Sequence, residues 1–153
     1  FAPLMEKSCK GQIVNVTSLA TLFPLPYMPL YNAGKSGLSS FTQSLMLEYH
    51  EYPRLIDFRL GDIRTSFNRA APKQLGPEQS HSMRRAWKKI ESQLEDSPVP
   101  QVAALQLLRA LKKNRSGVFY GGGWFQGCIA PLISRILPPS VLKFVLKSRY
   151  GLS

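Results

Sequence analysis

The chain has 153 residues, of which 44% are hydrophobic and 19% are charged. This length and composition fit one folded domain with a single core and exclude a disordered chain. The formal net charge is +11, from 20 Lys and Arg against 9 Asp and Glu, but the basic residues are scattered and form no long tail. We therefore expect anionic ligands or an anionic surface, and no nucleic-acid partner.

The cysteines and the apolar runs indicate the cellular compartment of the protein and whether it crosses a membrane. Cys9 and Cys128 lie far apart and match no metal-binding or redox motif, which predicts two reduced thiols in an intracellular protein and no metal site. No charged region followed by a long apolar run opens the sequence, so we expect no secretory signal. Arg135 and Pro138–Pro139 interrupt the best apolar stretch, and no membrane-spanning helix is predicted.

Three short segments are typical of buried β-strands. They are rich in β-branched and aromatic residues and are bounded by Gly or small polar residues. They are residues 11–18, GQIVNVTS, residues 55–60, LIDFRL, and residues 117–121, GVFYG. Helical patterns lie between them, and this alternation predicts an α/β fold with a parallel sheet of about three strands and right-handed crossovers.

The segment between the first two strands divides into a loop and a helix. Three prolines place the loop at residues 19–30. The helix is expected to run from about Tyr31 to Tyr49. Its predicted apolar face consists of Leu38, Phe41 and Leu45, with Met46 and Leu47 beside them.

Two further helices are expected before the third strand, after a polar loop at residues 66–82. Their apolar residues recur at helical spacing. In the first helix these are Met83, Trp87, Ile90 and Leu94, and in the second, from Ser97–Pro98 to about Lys113, they are Val102, Leu105, Leu108 and Leu111. The basic residues of the first helix are expected to form a solvated face, and they are Arg84, Arg85, Lys88 and Lys89.

A tyrosine and a lysine lie one helical turn apart, at Tyr31 and Lys35. Both side chains leave the same face of the helix. A neighbouring ammonium favours the phenolate, which lowers the pKa of a tyrosine toward the range useful for proton transfer. An ordinary exposed pair has the same spacing, but Ser18 adds a hydroxyl at the strand end, where parallel sheets bind ligands.

These residues resemble the short-chain dehydrogenases/reductases. NVTS followed by YNAGK is similar to the family's strand ending in Asn-x-Ser-Ser and its Tyr-x-x-x-Lys, and LGDIRT at residues 60–65 resembles Pro-Gly-x-x-x-Thr with Leu60 in place of proline. The resemblance implies an NAD(P)-dependent oxidoreductase that moves hydride between a nicotinamide and a carbonyl or alcohol carbon. It implies Ser18 as the hydroxyl that orients the substrate, Tyr31 as the acid/base and Lys35 as its activator.

The same resemblance implies a set of cofactor contacts. Tyr31 and Lys35 both belong to this set, and Lys35 would hydrogen-bond the nicotinamide ribose. The backbone from Gly61 to Ile63 would meet the carboxamide, and Thr65 the carboxamide or the phosphates. A helix N-cap is the alternative role for Thr65. The expected cofactor is NADP, with NAD as the alternative.

The resemblance covers the C-terminal part of such an enzyme. The family's N-terminal βαβ units, whose Gly-rich turn cradles a pyrophosphate, have no counterpart in residues 1–10, FAPLMEKSCK. We therefore expect a partial Rossmann-like, doubly wound domain in residues 1–123, an unpaired strand edge at residues 11–18 and little dinucleotide binding by this chain alone. A full-length form is expected to be a homo-oligomer. The rival interpretation is an inactive fragment that binds a partner or a membrane.

Residues 124–153 form a predicted C-terminal extension that is apolar and basic. After Pro138–Pro139, the apolar residues Val141, Leu142, Val145 and Leu146 alternate with Lys143, Lys147 and Arg149. A helix on a lipid surface fits this pattern, and so does a helix that caps the substrate cleft or packs in a dimer. The tail is similar to that of fungal 1-acyldihydroxyacetone-phosphate reductase-type enzymes. This similarity implies a lipid-like ketone and a cytoplasmic location or a peripheral one, on an endoplasmic reticulum or lipid-droplet surface.

Overall fold

The computed structural model describes residues 1–66 and 80–152, in which the strands form one parallel sheet. The strands are β1 (Gln12–Ser18), β2 (Arg54–Leu60) and β3 (Gly117–Gly121), in the order β1-β2-β3. Ser18 pairs with Leu60, and Leu60 pairs with Gly121. All three carboxyl ends therefore meet at one edge, and the predicted α/β class with a partial Rossmann-like sheet is confirmed.

Helices flank this sheet in the described residues. They are α1 (Ala2–Lys7), α2 (Pro29–Glu48), α3 (His81–Glu95), α4 (Pro100–Lys112), α5 (Ala130–Ile136) and α6 (Pro139–Tyr150). A 3₁₀ turn, Leu19–Thr21, follows β1, and a π-helical turn, Phe125–Ile129, leads into α5. Of the predicted loop at 66–82, residues 67–79 lie outside the described residues. None of the described helices is long and apolar enough to cross a bilayer.

Four helices differ from the sequence prediction, because α1 and α5 were not predicted, α4 begins at Pro100 rather than at Ser97–Pro98, and α2 begins early. Helix α2 begins at Pro29, two residues earlier than expected, because a proline is compatible with the first helical turn. Helix α5 was not predicted, since it has only seven residues and begins Ala130-Pro131. Such a short segment carries too little periodicity to identify a helix.

The central strand supplies the main core. Ile56 and Phe58 of β2 pack with Phe119 of β3 and Ala110 of α4. Because this strand has neighbours on both sides and helices on both faces, its five central residues are buried. A second cluster joins α3 to the C-terminal helix α6, and it consists of Ala86, Ile90 and Tyr150, with Leu25, Leu94, Leu146 and Leu152 packed against them.

The side of α2 that packs on the sheet is mixed, and the prediction of an apolar face was partly wrong, because Leu38, Leu45 and Met46 are only half-buried. Its buried residues are Ser39 and Thr42, whereas Phe41 and Leu47 are exposed. Thr42 Oγ1 accepts a hydrogen bond from Asn15 Nδ2 at 2.8 Å. The most buried residues on the inner side of α2 are therefore ones that form hydrogen bonds to the strands.

The predicted stripe of α4 was also partly wrong. Leu105 and Leu108 are exposed, while Leu107, Ala110 and Leu111 pack on the core. The leucines of this helix occupy more than one side, so spacing alone could not identify the inner face. The prediction for α3 is confirmed, because Ile90 and Leu94 pack inward and its four predicted basic residues are exposed.

A buried ion pair within β2 is hydrogen-bonded to Ser39 of α2. Arg59 Nε donates to Asp57 Oδ2 at 3.0 Å, and the two side chains are 10% and 0% exposed. Asp57 also accepts from the hydroxyls of Thr17 in β1 and Ser39 in α2. Arg59 Nη2 donates to Ser39 Oγ at 2.9 Å. A buried carboxylate is tolerated only when its oxygens are paired in this way.

Replacing one residue of the Asp57–Arg59 pair should therefore lower the stability of the folded chain. Arg59→Met keeps much of the side-chain volume but leaves the Asp57 carboxylate buried without its cation, and we expect the free energy of unfolding to fall by about 3–5 kcal/mol. Urea denaturation measures this change. Arg109→Met on the exposed side of α4 is the control, with an expected change within about 0.5 kcal/mol. Similar losses in both variants would contradict the role of the pair.

Candidate active site

The carboxyl edge of the sheet holds a cleft where most of the predicted site residues meet. Ser18 from β1 and Tyr31 from α2 line it. Gly61, Ile63 and Thr65, from the segment after β2, line it as well. Lys35 is not part of the lining and lies one turn farther along α2. The parallel register brings these distant segments together, because β1 and β2 end side by side.

Ser18 is held in place by the turn that follows β1. Its Oγ accepts a hydrogen bond from the backbone N–H of Ala20 at 3.1 Å, and its carbonyl oxygen accepts from Thr21 Oγ1 at 2.8 Å. The serine is buried. A hydroxyl that accepts one bond keeps its own proton to donate, so Ser18 can donate to a carbonyl oxygen in the cleft.

Tyr31 and Lys35 share one side of α2, as their spacing predicted. Lys35 Nζ lies 6.0 Å from the centre of the Tyr31 ring and donates to the carbonyl of Val16 at 2.8 Å. This bond attaches α2 to β1 two residues before Ser18. An ammonium has three donors, and Val16 takes one of them. The ammonium is thus fixed between the tyrosine and the strand that carries the serine.

Asn32 fastens the loop that precedes α2, and sequence analysis missed this residue. Its side-chain Oδ1 accepts from the N–H of Leu25 at 3.2 Å, and its Nδ2 donates to the carbonyl of Leu25 at 2.8 Å. Leu25 itself lines the cleft. A side-chain amide that pairs with both backbone groups of one residue holds the loop against the helix turn that carries Tyr31.

Gln126 clamps the turn after β2 and was also missed. Its Oε1 accepts from the N–H of Asp62 at 3.0 Å, and its Nε2 donates to Asp62 Oδ2 at 2.6 Å. A Cβ at Gly61 would lie 2.5 Å from Gln126 Oε1, so this approach requires glycine at position 61. The partners are 64 residues apart in the sequence, and no local pattern signals the contact.

An apolar cavity adjoins the cleft and shares part of its wall. Ser18, Gly61, Asp62 and Tyr150 line both spaces. The C-terminal segment supplies apolar side chains to the cavity, namely Phe125, Ile133, Leu137, Leu142, Val145 and Leu146. Since Ser18 lies where the two spaces join, a ligand can place a polar group at Ser18 and an alkyl chain among these side chains.

Tyr150 lies at the end of α6 and faces both spaces. Burial raises the pKa of Tyr150 above its ordinary value of 10.0, and the Asp62 carboxylate acts in the same direction, against the Arg149 guanidinium. The phenol is therefore neutral at physiological pH and can act as a hydrogen-bond donor. Sequence analysis did not assign Tyr150 to the site.

This pKa predicts how stability depends on pH. Because the folded chain holds the Tyr150 proton more tightly than the unfolded chain, the stabilisation is present below about pH 10 and is lost as the pH rises above it. Between about pH 9 and pH 11, the free energy of unfolding of the wild type should fall more steeply than that of Tyr150→Phe. Urea titrations at several pH values measure both slopes. Parallel slopes would show that Tyr150 ionises alike in both states.

Comparison with protein families gives a match that includes every predicted site residue. The sequence model described as short chain dehydrogenase matches residues 1–76. The 3-ketodihydrosphingosine reductase of Bacteroides thetaiotaomicron is 22% identical over 162 aligned positions, which cover 98% of this chain and 58% of that protein. The very-long-chain 3-oxoacyl-CoA reductase-A of Danio rerio is 36% identical over 47 residues, 31% of this chain and 15% of that protein. No solved structure gives a significant match.

The chain thus spans less than two thirds of the length of these curated relatives. The segment shared with the zebrafish protein is short, whereas the bacterial relative aligns with nearly the whole chain, including the C-terminal helices.

Proposed function

Because the chain belongs to the short-chain dehydrogenase family, we propose that it carries the catalytic residues of an NAD(P)-dependent oxidoreductase that reduces a lipid-like ketone. The observation that supports this most is the placement of Ser18 and Tyr31 around one cleft, with Lys35 beside the tyrosine. Residues 1–123 would form the catalytic part and residues 124–153 the extension that walls the substrate cavity. NADP is the proposed cofactor, and NAD is the alternative.

The proposed chemistry is proton transfer by Tyr31 to a carbonyl oxygen. Ser18 donates a hydrogen bond that orients this oxygen and stabilises the charge that develops on it. When bound, the reduced nicotinamide supplies the hydride to the carbonyl carbon. The Tyr31 hydroxyl gives its proton to the resulting alkoxide oxygen, which completes the alcohol. The Lys35 ammonium stabilises the tyrosinate left behind, because opposite charges attract strongly at a partly buried site.

The segment after β2 fits a nicotinamide on one side of Tyr31. Gly61, Ile63 and Thr65 line the cleft there. The N–H of Gly61 donates to the carbonyl of Gly121 at 2.8 Å, and the N–H of Asp62 is taken by Gln126. Among the described residues Ile63 has no such backbone acceptor, so we assign the carboxamide contact to its N–H. Thr65 remains the proposed contact for the carboxamide or the phosphates.

A lipid-like substrate is supported by the apolar cavity beside Ser18. Its C-terminal wall is almost entirely aliphatic and aromatic, which suits an alkyl chain. Both curated relatives are named as reductases of 3-keto or 3-oxo compounds. The likeness of the tail to fungal 1-acyldihydroxyacetone-phosphate reductase-type enzymes stays a prediction. In that case the phosphate would suit the basic C-terminal region.

Partners and location are part of the same proposal. We propose homo-oligomer contacts through the outer side of α2, where Leu30, Phe41 and Leu47 are exposed. Peripheral membrane contact through the C-terminal helix would place the protein in the cytoplasm or on an endoplasmic reticulum or lipid-droplet surface. A second candidate function is partner binding without catalysis. It is favoured by the outer edge of β1, which pairs with no strand among the described residues.

Turnover by the Tyr31→Phe variant tests the proposal. In the longest natural polypeptide that contains this chain, the loss of the proton donor should lower kcat by about 10²–10⁴-fold, while the Kd of the cofactor stays unchanged. NADPH oxidation with a long-chain 3-keto substrate measures kcat, and calorimetry measures Kd. Tyr27→Phe, in the loop before α2, is the control and should retain turnover. Full activity of Tyr31→Phe would remove Tyr31 from its role.

A further inference from the structure

The two C-terminal helices each have one side in the cavity and another side at the surface. Ile133 of α5 and Leu142 and Leu146 of α6 line the cavity. In contrast, Ile136 of α5 and Phe144 of α6 are 79% and 70% exposed. The two helices form a layer that is one helix thick, and this layer separates the apolar cavity from the solvent.

The exposed apolar residues follow the helical repeat. Leu132 and Ile136 are four residues apart and form one stripe on α5. At 3.6 residues per turn, Phe144 lies on the side of α6 opposite Leu142 and Leu146. The exposed apolar residues therefore lie on one regular side of each helix, opposite the side that faces the cavity. We call the residues Leu132, Ile136, Val141 and Phe144 the outer face.

The charged residues of the C-terminal segment that carries the outer face have one sign. Lys143 and Lys147 are exposed and lie one turn apart next to Phe144. After Asp96 the sequence contains no Asp or Glu, so residues 97–153 carry 8 of the 20 basic residues and none of the 9 acidic ones. A segment that combines large exposed apolar side chains with lysines and contains no Asp or Glu of its own is complementary to an anionic lipid headgroup layer.

We propose that the outer face of α5 and α6 rests on an anionic membrane surface and that an alkyl chain passes between the bilayer and the cavity behind these helices. Leu137 and Pro138, which connect the two helices, mark the passage, because Leu137 lines the cavity and Pro138 is exposed. The alkyl chain then reaches Ser18 without passing through water. This inference deepens the proposed function and rests on it for the nature of the alkyl chain, whereas the lipid contact is argued from the outer face and its charge.

Binding to vesicles tests the contact without any enzyme activity. The full chain is sedimented with phosphatidylcholine vesicles that contain or lack phosphatidylserine. Trp124, exposed before α5, reports insertion by its emission and by quenching with brominated lipids once Trp87→Phe has removed the other tryptophan. Binding should require the anionic lipid and should weaken with salt. No binding to either vesicle would overturn the proposal.

Matched variants separate the outer face from general stickiness. Leu132→Ser and Leu105→Ser change leucines that are 58% and 56% exposed, on α5 and on the distant α4. Leu132→Ser should weaken vesicle binding, and Ile136→Ser with Phe144→Ser should weaken it at least about tenfold. Leu105→Ser should leave it unchanged. Equal losses at both leucines would overturn the proposal.

A second matched pair separates local charge from net charge. Lys143→Glu with Lys147→Glu and Arg84→Glu with Lys88→Glu each reverse two charges four residues apart on an exposed helix side. Only the first pair should reduce binding to anionic vesicles, by about tenfold or more. An equal effect would mean that only the total charge matters. The outer face could instead be covered by a second copy of the protein. Analytical ultracentrifugation without lipid tests this, because a dimer that is lost in Ile136→Ser would identify such a self-contact and overturn the proposal.

The passage has its own test. Phe125→Trp, in a chain whose other tryptophans are replaced by Phe, places a fluorophore on the cavity wall. A long-chain ketone brominated near its end, supplied in vesicles, should quench this tryptophan. The Tyr31→Phe variant should bind vesicles and be quenched as the wild type is, so a failure of the catalytic proposal stays distinguishable. Vesicle binding without quenching would overturn the passage.

Discussion

The carboxylate of Asp57 joins the elements on which the site is built. It accepts hydrogen bonds from Thr17 of β1 and Ser39 of α2, and it pairs with Arg59 of β2. Ser39 follows Lys35 by one turn, as Lys35 follows Tyr31, so fixing Ser39 fixes the side of α2 that carries both. Apolar contacts have no preferred direction, whereas hydrogen bonds to a buried charge do. The bonds to Asp57 therefore restrict α2 to one orientation on the sheet. The cleft geometry follows from this constraint.

The two ends of the chain contribute different chemistry to the same place. The end of β1, helix α2 and the segment after β2 bring hydroxyls, an ammonium and backbone donors to the carboxyl edge of the sheet, where the proposed reaction would hold and protonate a carbonyl group. The C-terminal helices bring an apolar wall and, on their outer side, an apolar and basic surface. Gln126 and Tyr150 connect the two parts, because both touch or face Asp62 at the cleft. Hydride chemistry and lipid handling would thus be adjacent in space.

Much of this arrangement could be predicted from local sequence. Strand content, helical spacing and the order of elements gave the parallel sheet, and the positions of Ser18 and Tyr31 relative to those elements placed them at one edge. The inner face of α2 could not be predicted from apolar periodicity, because its partners are Asp57 and Arg59 on another strand. Charged residues inside LIDFRL were the available signal. Gln126 and Tyr150 reach the site through tertiary packing, which no local pattern encodes.

The central claim is that the Asp57 network holds α2 in register on the sheet. A double-mutant cycle of unfolding free energies with Asp57→Asn and Ser39→Ala tests it most directly. Since the two side chains share a buried hydrogen bond of 2.6 Å, the account predicts a coupling free energy of about 1–3 kcal/mol. A coupling within about 0.3 kcal/mol of zero would show that the residues act independently, and it would contradict the account.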